Sequence, residues 1–575
     1  MGPNIPNEIW NRILEMLSYE DLKSVISVCK KFKALAEDPK LWSQFPLITC
    51  SNPHTVLCLP RLSSLSQLTL VDIPLSDSDL VCMQQTSLTC LCLDKCDLSG
   101  LSAQLLATCL ASLVTFKLKV HFEYKEEERF TDEQICALFE ELSKSSQLEN
   151  LHLHHCDLSP VPPSTLAMVT SMLTMAELYW CLLTPGQAVA LFTRLHSQPA
   201  RIQQLDIGYN NISMVTPTIM AEVVCRMERV NMYNIRHQLT YRQLMEMLWK
   251  ISSTDQLSEL ILGGTRLTDI PDDTLARAVA RLRIVNLDHC DLTEGQAVAV
   301  VAAAGRSDRL RGLYIAGNIL AHIEPEILAR CVARLQLASI SLAQLTRLQT
   351  RQIVNRMATS CSNLKEIDIS YNDLSQADPV TLATAANSLE RAVVHNTEIS
   401  EYQTVKILKH VIAGTNLKHL DIGGDLRTIA PEIIAQSFNK MSSVTIHTET
   451  AKISKKAELE LFKQMGEKTF LKRIDLQHRD LSRIPSEVIA RAVNNLTEVN
   501  IMETYLSDDQ ILKIFIRMSE KTSLRHVDIR GSDIRIVPED VFRRAKQKCH
   551  FILHDFDRNL NDKIVRERIF GNKRI

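Results

Sequence analysis

A repeat constrains this chain more than any other feature. The pattern L-x-x-L-x-L-x-x-(N/C)-x-L recurs along most of its 575 residues, clearest in IQQLDIGYNNI at 202, LRIVNLDHCDL at 282 and LKEIDISYNDL at 364. With any aliphatic residue allowed at the leucine positions, starts fall at 65, 88, 113, 148, 175, 202, 227, 257, 282, 310, 337, 364, 389, 417, 441, 471, 496 and 524, with a degenerate one near 548. The steps average about 27 residues, a unit that cannot bury its apolar face alone and must stack on its neighbours. A chain of this length would otherwise divide into three or four compact domains. One step is long: that from 113 to 148 carries HFEYKEEERF at 121–130, a rim loop whose EEE run at 126–128 reads as a solvated loop tip.

The repeats alternate. Odd ones place a proline after the strand and loop, at Pro163, Pro217, Pro271, Pro325, Pro379, Pro431, Pro485 and Pro538. Helical stretches such as DDTLARAVARL follow, so each proline sits where a first helical turn tolerates it. Even ones place Ser or Thr three residues before Gln: Thr131 and Gln134, Thr184 and Gln187, Thr240 and Gln243, Thr293 and Gln296, Ser400 and Gln403, Ser507 and Gln510. Each pair predicts a capping box at a helix start. Every repeat therefore reads as strand, loop and helix. This two-type alternation resembles the ribonuclease-inhibitor class of leucine-rich repeats over roughly 61–553. The resemblance implies an open α/β horseshoe of about 18 strand–loop–helix repeats, and by itself says little about function.

Residues 5–42 pose a different problem. Nineteen of these 38 residues are apolar, more than so short a segment can bury by itself. Pro6 suits a first helical turn, and Ile9, Trp10, Ile13, Leu14, Met16 and Leu17 cover an arc of about 160°, wider than a one-sided stripe. Ser18 and Asp21 resemble a capping box for a second helix, Phe32 and Leu35 continue into a third, and Asp38-Pro39 ends it. The order Ile5-Pro6, Glu8-Ile9, Ile13-Leu14, Leu17, Asp21-Leu22, Val28-Cys29-Lys30, Phe32, Leu35, Asp38, Leu41-Trp42 resembles the F-box, with Ile5 in place of Leu and Phe32 in place of the usual Trp. The expected organisation is an F-box at 1–42, a linker or N-terminal cap at 43–60, the repeat solenoid at 61–545 and a C-terminal cap and tail at 546–575.

Composition excludes several classes. A net charge of −2 argues against a nucleic-acid or anionic-membrane binder. No run of 18 apolar residues and no secretory or lipidation signal is evident. Sixteen cysteines in such a chain read as reduced thiols in the cytoplasm or nucleus. Cys96, Cys156 and Cys290 take the loop position that Asn210, Asn318 and Asn372 fill elsewhere, a structural role. His152 and His154 share a strand face, but no second ligand cluster accompanies the run His152–Cys156, so it reads as a histidine patch rather than zinc. There is no G-x-S-x-G, P-loop or H-E-x-x-H. No catalytic residue, cofactor or metal is expected. The basic tail with interspersed acids reads as a solvated capping element.

Side chains between and after the strand leucines face the open side of the sheet. Tyr179, Tyr209, Tyr233, Tyr314 and Tyr371, with His154 and Asp288, are the candidates there, because rigid amphipathic rings favour interfaces. Lys117, Lys119, Arg229, Arg391 and Arg473 are too scattered to form a polyphosphate site. An F-box joined to such repeats looks like the non-catalytic substrate receptor of an SCF-type ubiquitin ligase. The resemblance implies docking on the SCF adaptor, and through it cullin, with a protein substrate of unknown identity on the repeats. Ile5, Pro6, Ile9, Leu14, Leu17, Leu22, Val25, Val28 and Trp42 would contact the adaptor, with Ile13, Phe32 and Leu35 in the core. The rivals are a leucine-rich-repeat inhibitor or scaffold acting outside a ligase, and a regulator resembling the GTPase-activating horseshoes, for which no presenting Arg or Asn loop stands out.

Overall fold

The structure, a computed structural model, describes residues 66–552 apart from 72–73, 95, 120–129, 145–146, 199–200, 234–238, 360–361, 415, 468 and 547–548. It also describes 47–50 and part of 10–41, including the helix Lys30–Ala36. The insert at 121–130 and the tail beyond 552 therefore lie almost wholly outside the described residues. The chain divides into two compact units, Met1–Gln243 and Leu244–Ile575.

In the first unit eight strands pair in parallel, each with the next in sequence: Leu47–Cys50, Gln67–Val71, Cys90–Asp94, Thr115–Lys119, Asn150–His154, Met175–Tyr179, Gln204–Asp206 and Arg229–Asn231. In the second unit twelve more do the same, from Glu259–Ile261 to His550–Ile552. A helix follows nearly every strand, so the expected α/β class of strand–loop–helix repeats holds. The segment read as a linker contributes a strand, and the degenerate start near 548 is one as well.

Strands open two residues after the template start throughout, except at 175 and 337, where strand and start coincide. The true starts there are Leu173 and Leu335. In both repeats an alanine, Ala176 or Ala338, fills the buried strand position that a larger aliphatic residue takes in most others, as Ala392 also does in the 389 repeat without a shift of start.

The alternation has a physical basis. Pro163, Pro217, Pro325, Pro379 and Pro431 open their helices, where a missing N–H costs nothing. The even helices begin with capping boxes, as in Thr184–Gln187 and Ser507–Gln510. Two further boxes, Thr346–Gln349 and Ser76–Asp79, were not anticipated. Each glutamine also reaches back. Gln187 Nε2 donates to Leu158 O at 2.6 Å and Val161 O at 2.7 Å, and Gln510 Nε2 donates to Leu481 O and Ile484 O at 2.8 and 2.6 Å. A buried amide thus ties seven of the even helices to the loop of the odd repeat before them, whereas Lys455–Glu467 carries Glu458 and no such glutamine. The loop asparagines do comparable work: Asn210 Nδ2 donates to Leu178 O at 2.6 Å while its Oδ1 accepts from Cys181 N and Leu183 N at 3.1 Å. Cys290 fills that place with a thiol bonded to Leu262 O at 3.3 Å, and burial pushes its pKa up to about 12.

Candidate functional site

Of the nine residues expected to meet an adaptor, Ile5, Pro6, Ile9, Leu17, Leu22 and Trp42 lie outside the described residues. Val28 is 63% exposed and Val25 half-buried. Leu14 is 2% exposed and Ile13 40%, the reverse of the expectation. Adjacent residues on a helix point about 100° apart, so placing the helix face one residue off exchanges the two. Phe32 packs edge-on against Trp10, ring centroids 4.8 Å apart. The described part of this segment thus turns Leu14, Ala36 and Leu41 inward and leaves Ile13 and Val28 outward.

The second candidate site is built by strand register in the first unit. Parallel pairing sets Lys117, His152, Glu177, Asp206 and Asn231 in one lateral row on the open face of the sheet. Within it His152 Nδ1 lies 2.6 Å and His154 Nε2 3.2 Å from the same Glu177 oxygen. These two imidazole bonds hold the Glu177 carboxyl well below the usual carboxylate range. Asp206 accepts from Asn231 Nδ2 at 2.8 Å and Gly208 N at 2.9 Å, yet burial pushes its pKa up. The histidine patch is therefore a carboxylate clamp. Cys156 turns inward to His154 O, and among the described residues no group of three His, Cys, Asp or Glu is placed to hold a metal ion.

Beside the clamp run six aromatic rings. His154 lies 5.8 Å from Tyr179, Tyr179 lies 5.1 Å from Tyr209, and Tyr209 lies 5.9 Å from Tyr233. Trp180 stacks on Tyr209 at 4.8 Å and 12°, and His155 meets Trp180 at 5.2 Å. Such pairs contribute about 0.5–1.5 kcal/mol each beyond their area. Burial and the neighbouring Tyr209 raise the Tyr179 phenol pKa. Gly208 makes room for this arrangement: a Cβ there would lie 2.9 Å from Tyr179 Cδ2.

The backbone beneath the rings is strained. His155, Trp180 and Tyr209 take the same repeat position, with φ of 58°, 53° and 58°. A left-handed residue with a side chain costs roughly 1–2 kcal/mol. Ladder bonds from His155 N to Tyr179 O, Trp180 N to Gly208 O and Tyr209 N to Tyr233 O hold them there. Positive φ alone marks nothing, since Leu342 and Glu503 share it. What distinguishes these three is that consecutive repeats spend the position on rings that touch.

Tyr179, Tyr209, Tyr233 and His154 are thus brought together. Trp180, His155 and Glu177 belong with them and were not anticipated, although Trp180 and His155 share the Tyr209 position in the repeat. Tyr314, Tyr371 and Asp288 lie in the second unit, in two places. Asp288 accepts from Ala316 N at 2.7 Å and Asn286 Nδ2 at 3.0 Å, a loop-bracing role, and burial raises the pKa of Tyr314 nearby. Tyr371 meets His395 edge-on at 5.1 Å, and His395 reaches Asp421 at 3.1 Å.

No curated protein matches the chain in sequence. Among solved structures, a chain of the Toll–Spatzle complex, described as a molecular hub in Drosophila development and innate immunity, is similar to it. The identity is 12%, the coverage 88% of this chain and 68% of that one, and the TM-score 0.35. At that level the likeness adds nothing to the fold already evident from the strand registers. Residues 3–46 match the F-box-like family, so the repeats are preceded by an F-box-like segment.

Proposed function

We propose that this chain is the substrate-recognition subunit of an SCF-type ubiquitin ligase, docking on the SCF adaptor through residues 3–46 and holding a protein substrate on the repeats. The F-box-like match at 3–46 ahead of a parallel repeat array carries this reading. Ile13 and Val28 supply exposed apolar surface for the adaptor, and the F-box resemblance adds Ile5, Pro6, Ile9, Leu17, Leu22 and Trp42 as contacts. The ring cluster of Tyr179, Trp180, Tyr209 and Tyr233 is the substrate surface, because pre-organised aromatic rings lose little entropy on contact. The chain does no bond chemistry. It acts by proximity, presenting a substrate lysine to a ubiquitin-charged enzyme that the adaptor and cullin bring. Its workplace is the cytoplasm or nucleus.

Co-purification of the full chain with the SCF adaptor tests the reading. Wild type is expected to form a complex that Val28→Asp with Ile13→Asp abolishes. Absence of a complex with wild type, or survival of it in the double variant, leaves the rival reading of a repeat scaffold outside a ligase.

A further inference from the structure

The leading edge of the second unit's sheet, where the chain runs into each strand, has a composition of its own. One residue past six of the eleven repeat starts from 257 to 524 stand Arg283, Arg311, Lys365, Lys418, Lys472 and Arg525, all exposed. Backbone bonds join them into one file through the residues between, as from Lys418 N to Glu390 O at 2.9 Å, Ser442 N to Lys418 O at 2.9 Å and Lys472 N to Ser442 O at 2.9 Å. Glu390 is the one carboxylate among them. The same file in the first unit carries Glu149 and Glu228 and no Lys or Arg. Repeat geometry therefore does not require cations here.

The file runs past an open depression of about 540 Å³ whose lining includes Lys418, Lys440, Ser442, Phe470 and Lys472, with Glu390 its one carboxylate. Phe470 is 67% exposed. Its backbone is nonetheless pinned: Phe470 N donates to Asn439 O at 3.3 Å, Thr469 Oγ1 to Asn439 Oδ1 at 2.5 Å, and Leu471 N to Thr469 Oγ1 at 2.9 Å. A ring held out on a hydrogen-bonded turn is presented, not packed. Lys418 bonds Glu390 at 2.7 Å, while Lys440 and Lys472 make no ion pair among the described residues.

We propose that this edge docks an extended acidic segment of a partner protein, with carboxylates on Lys440, Lys472 and Lys418 and an apolar side chain on the Phe470 ring. The spacing fits: Lys418 and Lys472 stand two strands apart, about 10 Å, which residues i and i+3 of an extended chain also span. A nucleic acid fits less well, since one ring offers no stacking series and the chain carries a net charge of −2. The inference rests on the second unit's surface alone and stands or falls apart from the ligase reading.

The test uses the full chain and a fluorescent peptide of about 12 residues, long enough to cross several strands in extended form, with Asp or Glu at every third position and one central Leu. Its Asn/Gln counterpart and an oligothymidine of equal charge serve as competitors. The acidic peptide is expected to bind, to weaken as salt rises, and to lose about tenfold in affinity or more with Lys440→Glu plus Lys472→Glu and again with Phe470→Ser. All three positions are exposed, so unchanged thermal unfolding is expected, and Phe470→Ser alone decides the matter if the charge variant does not fold. No binding by wild type, equal binding of the neutral peptide, tighter binding of the oligothymidine, or indifference to Phe470→Ser overturns the proposal.

Discussion

Both units build their loops on one backbone plan, with a left-handed residue just past the third strand leucine. They fill that position differently. In the second unit Gly264, Gly317, Gly424 and Gly531 occupy it in four of the odd repeats, where a missing side chain makes positive φ cheap. In the first unit the position goes to His155 and Tyr209, with Trp180 in the even repeat between them, and the three rings touch. The leading edge differs in the opposite sense, cationic in the second unit and free of Lys and Arg in the first. One repeat can thus serve two kinds of surface. The second unit accepts the same strain at Tyr371 and His478 in its other two odd repeats, so what favours a binding role in the first unit is that its rings touch one another across consecutive repeats.

The largest expected effect probes where the plan itself is altered. Arg479 takes the loop position that Asn210 holds in the first unit, and it bonds buried Glu458 at 3.1 Å. Burial raises the Glu458 pKa against the pull of Arg479. Arg479→Met leaves that carboxyl buried without its partner and is expected to destabilise the second unit by about 3–5 kcal/mol in denaturant melts. Less than about 1 kcal/mol would show that the pair is dispensable there.

Next come the glutamine ties, shared by both units. Gln187→Ala in the first and Gln510→Ala in the second each strand one buried carbonyl, Val161 O or Ile484 O, and remove the acceptor of Thr184 N or Ser507 N, and each is expected to cost about 1–3 kcal/mol. Unequal losses would mean the two units are not held by the same device.

A mirrored pair of substitutions isolates the strain. Gly424 has φ 98°, and a Cβ added there would meet nothing nearer than Ile399 O at 4.0 Å. Gly424→Ala therefore costs about 1 kcal/mol through the backbone alone. Tyr209→Gly should then be about 1 kcal/mol more stable than Tyr209→Ala, although both remove the ring. Equal stability of the two Tyr209 variants in thermal melts would remove the strain argument.

The smallest effect is a pH dependence confined to the first unit. The Glu177 carboxyl is depressed in the folded chain below its ordinary 4.5 by His152 and His154. Its contribution is therefore present above about pH 4.5 and lost as pH falls through the lower folded value. The stability difference between wild type and Glu177→Gln should shrink as pH falls below about 4.5. A difference that grows below that pH would contradict the clamp.

Much of this architecture was legible because large aliphatic residues mark each strand. The register slipped at two of the three strands where an alanine replaced them, Ala176 and Ala338 but not Ala392, and the Thr346–Gln349 box lies in the second of these repeats. In the N-terminal segment a one-residue error in the helix face exchanged Ile13 and Leu14. The site was half legible. Tyrosines announce themselves, but Glu177 becomes notable only when register sets it between two histidines. The cationic edge depends on aligning every start at once, which no single repeat reveals.

The proposed function divides labour between the F-box-like segment and the first unit's rings. Proximity labelling by the full chain under proteasome inhibition, in wild type, Val28→Asp with Ile13→Asp, and Trp180→Ala with Tyr209→Ala, probes that division without intermediaries. The first double variant is expected to lose the SCF adaptor and keep the labelled substrates, while the second keeps the adaptor and loses substrates. Loss of both partners together in either variant, or substrates retained without the rings, would contradict it.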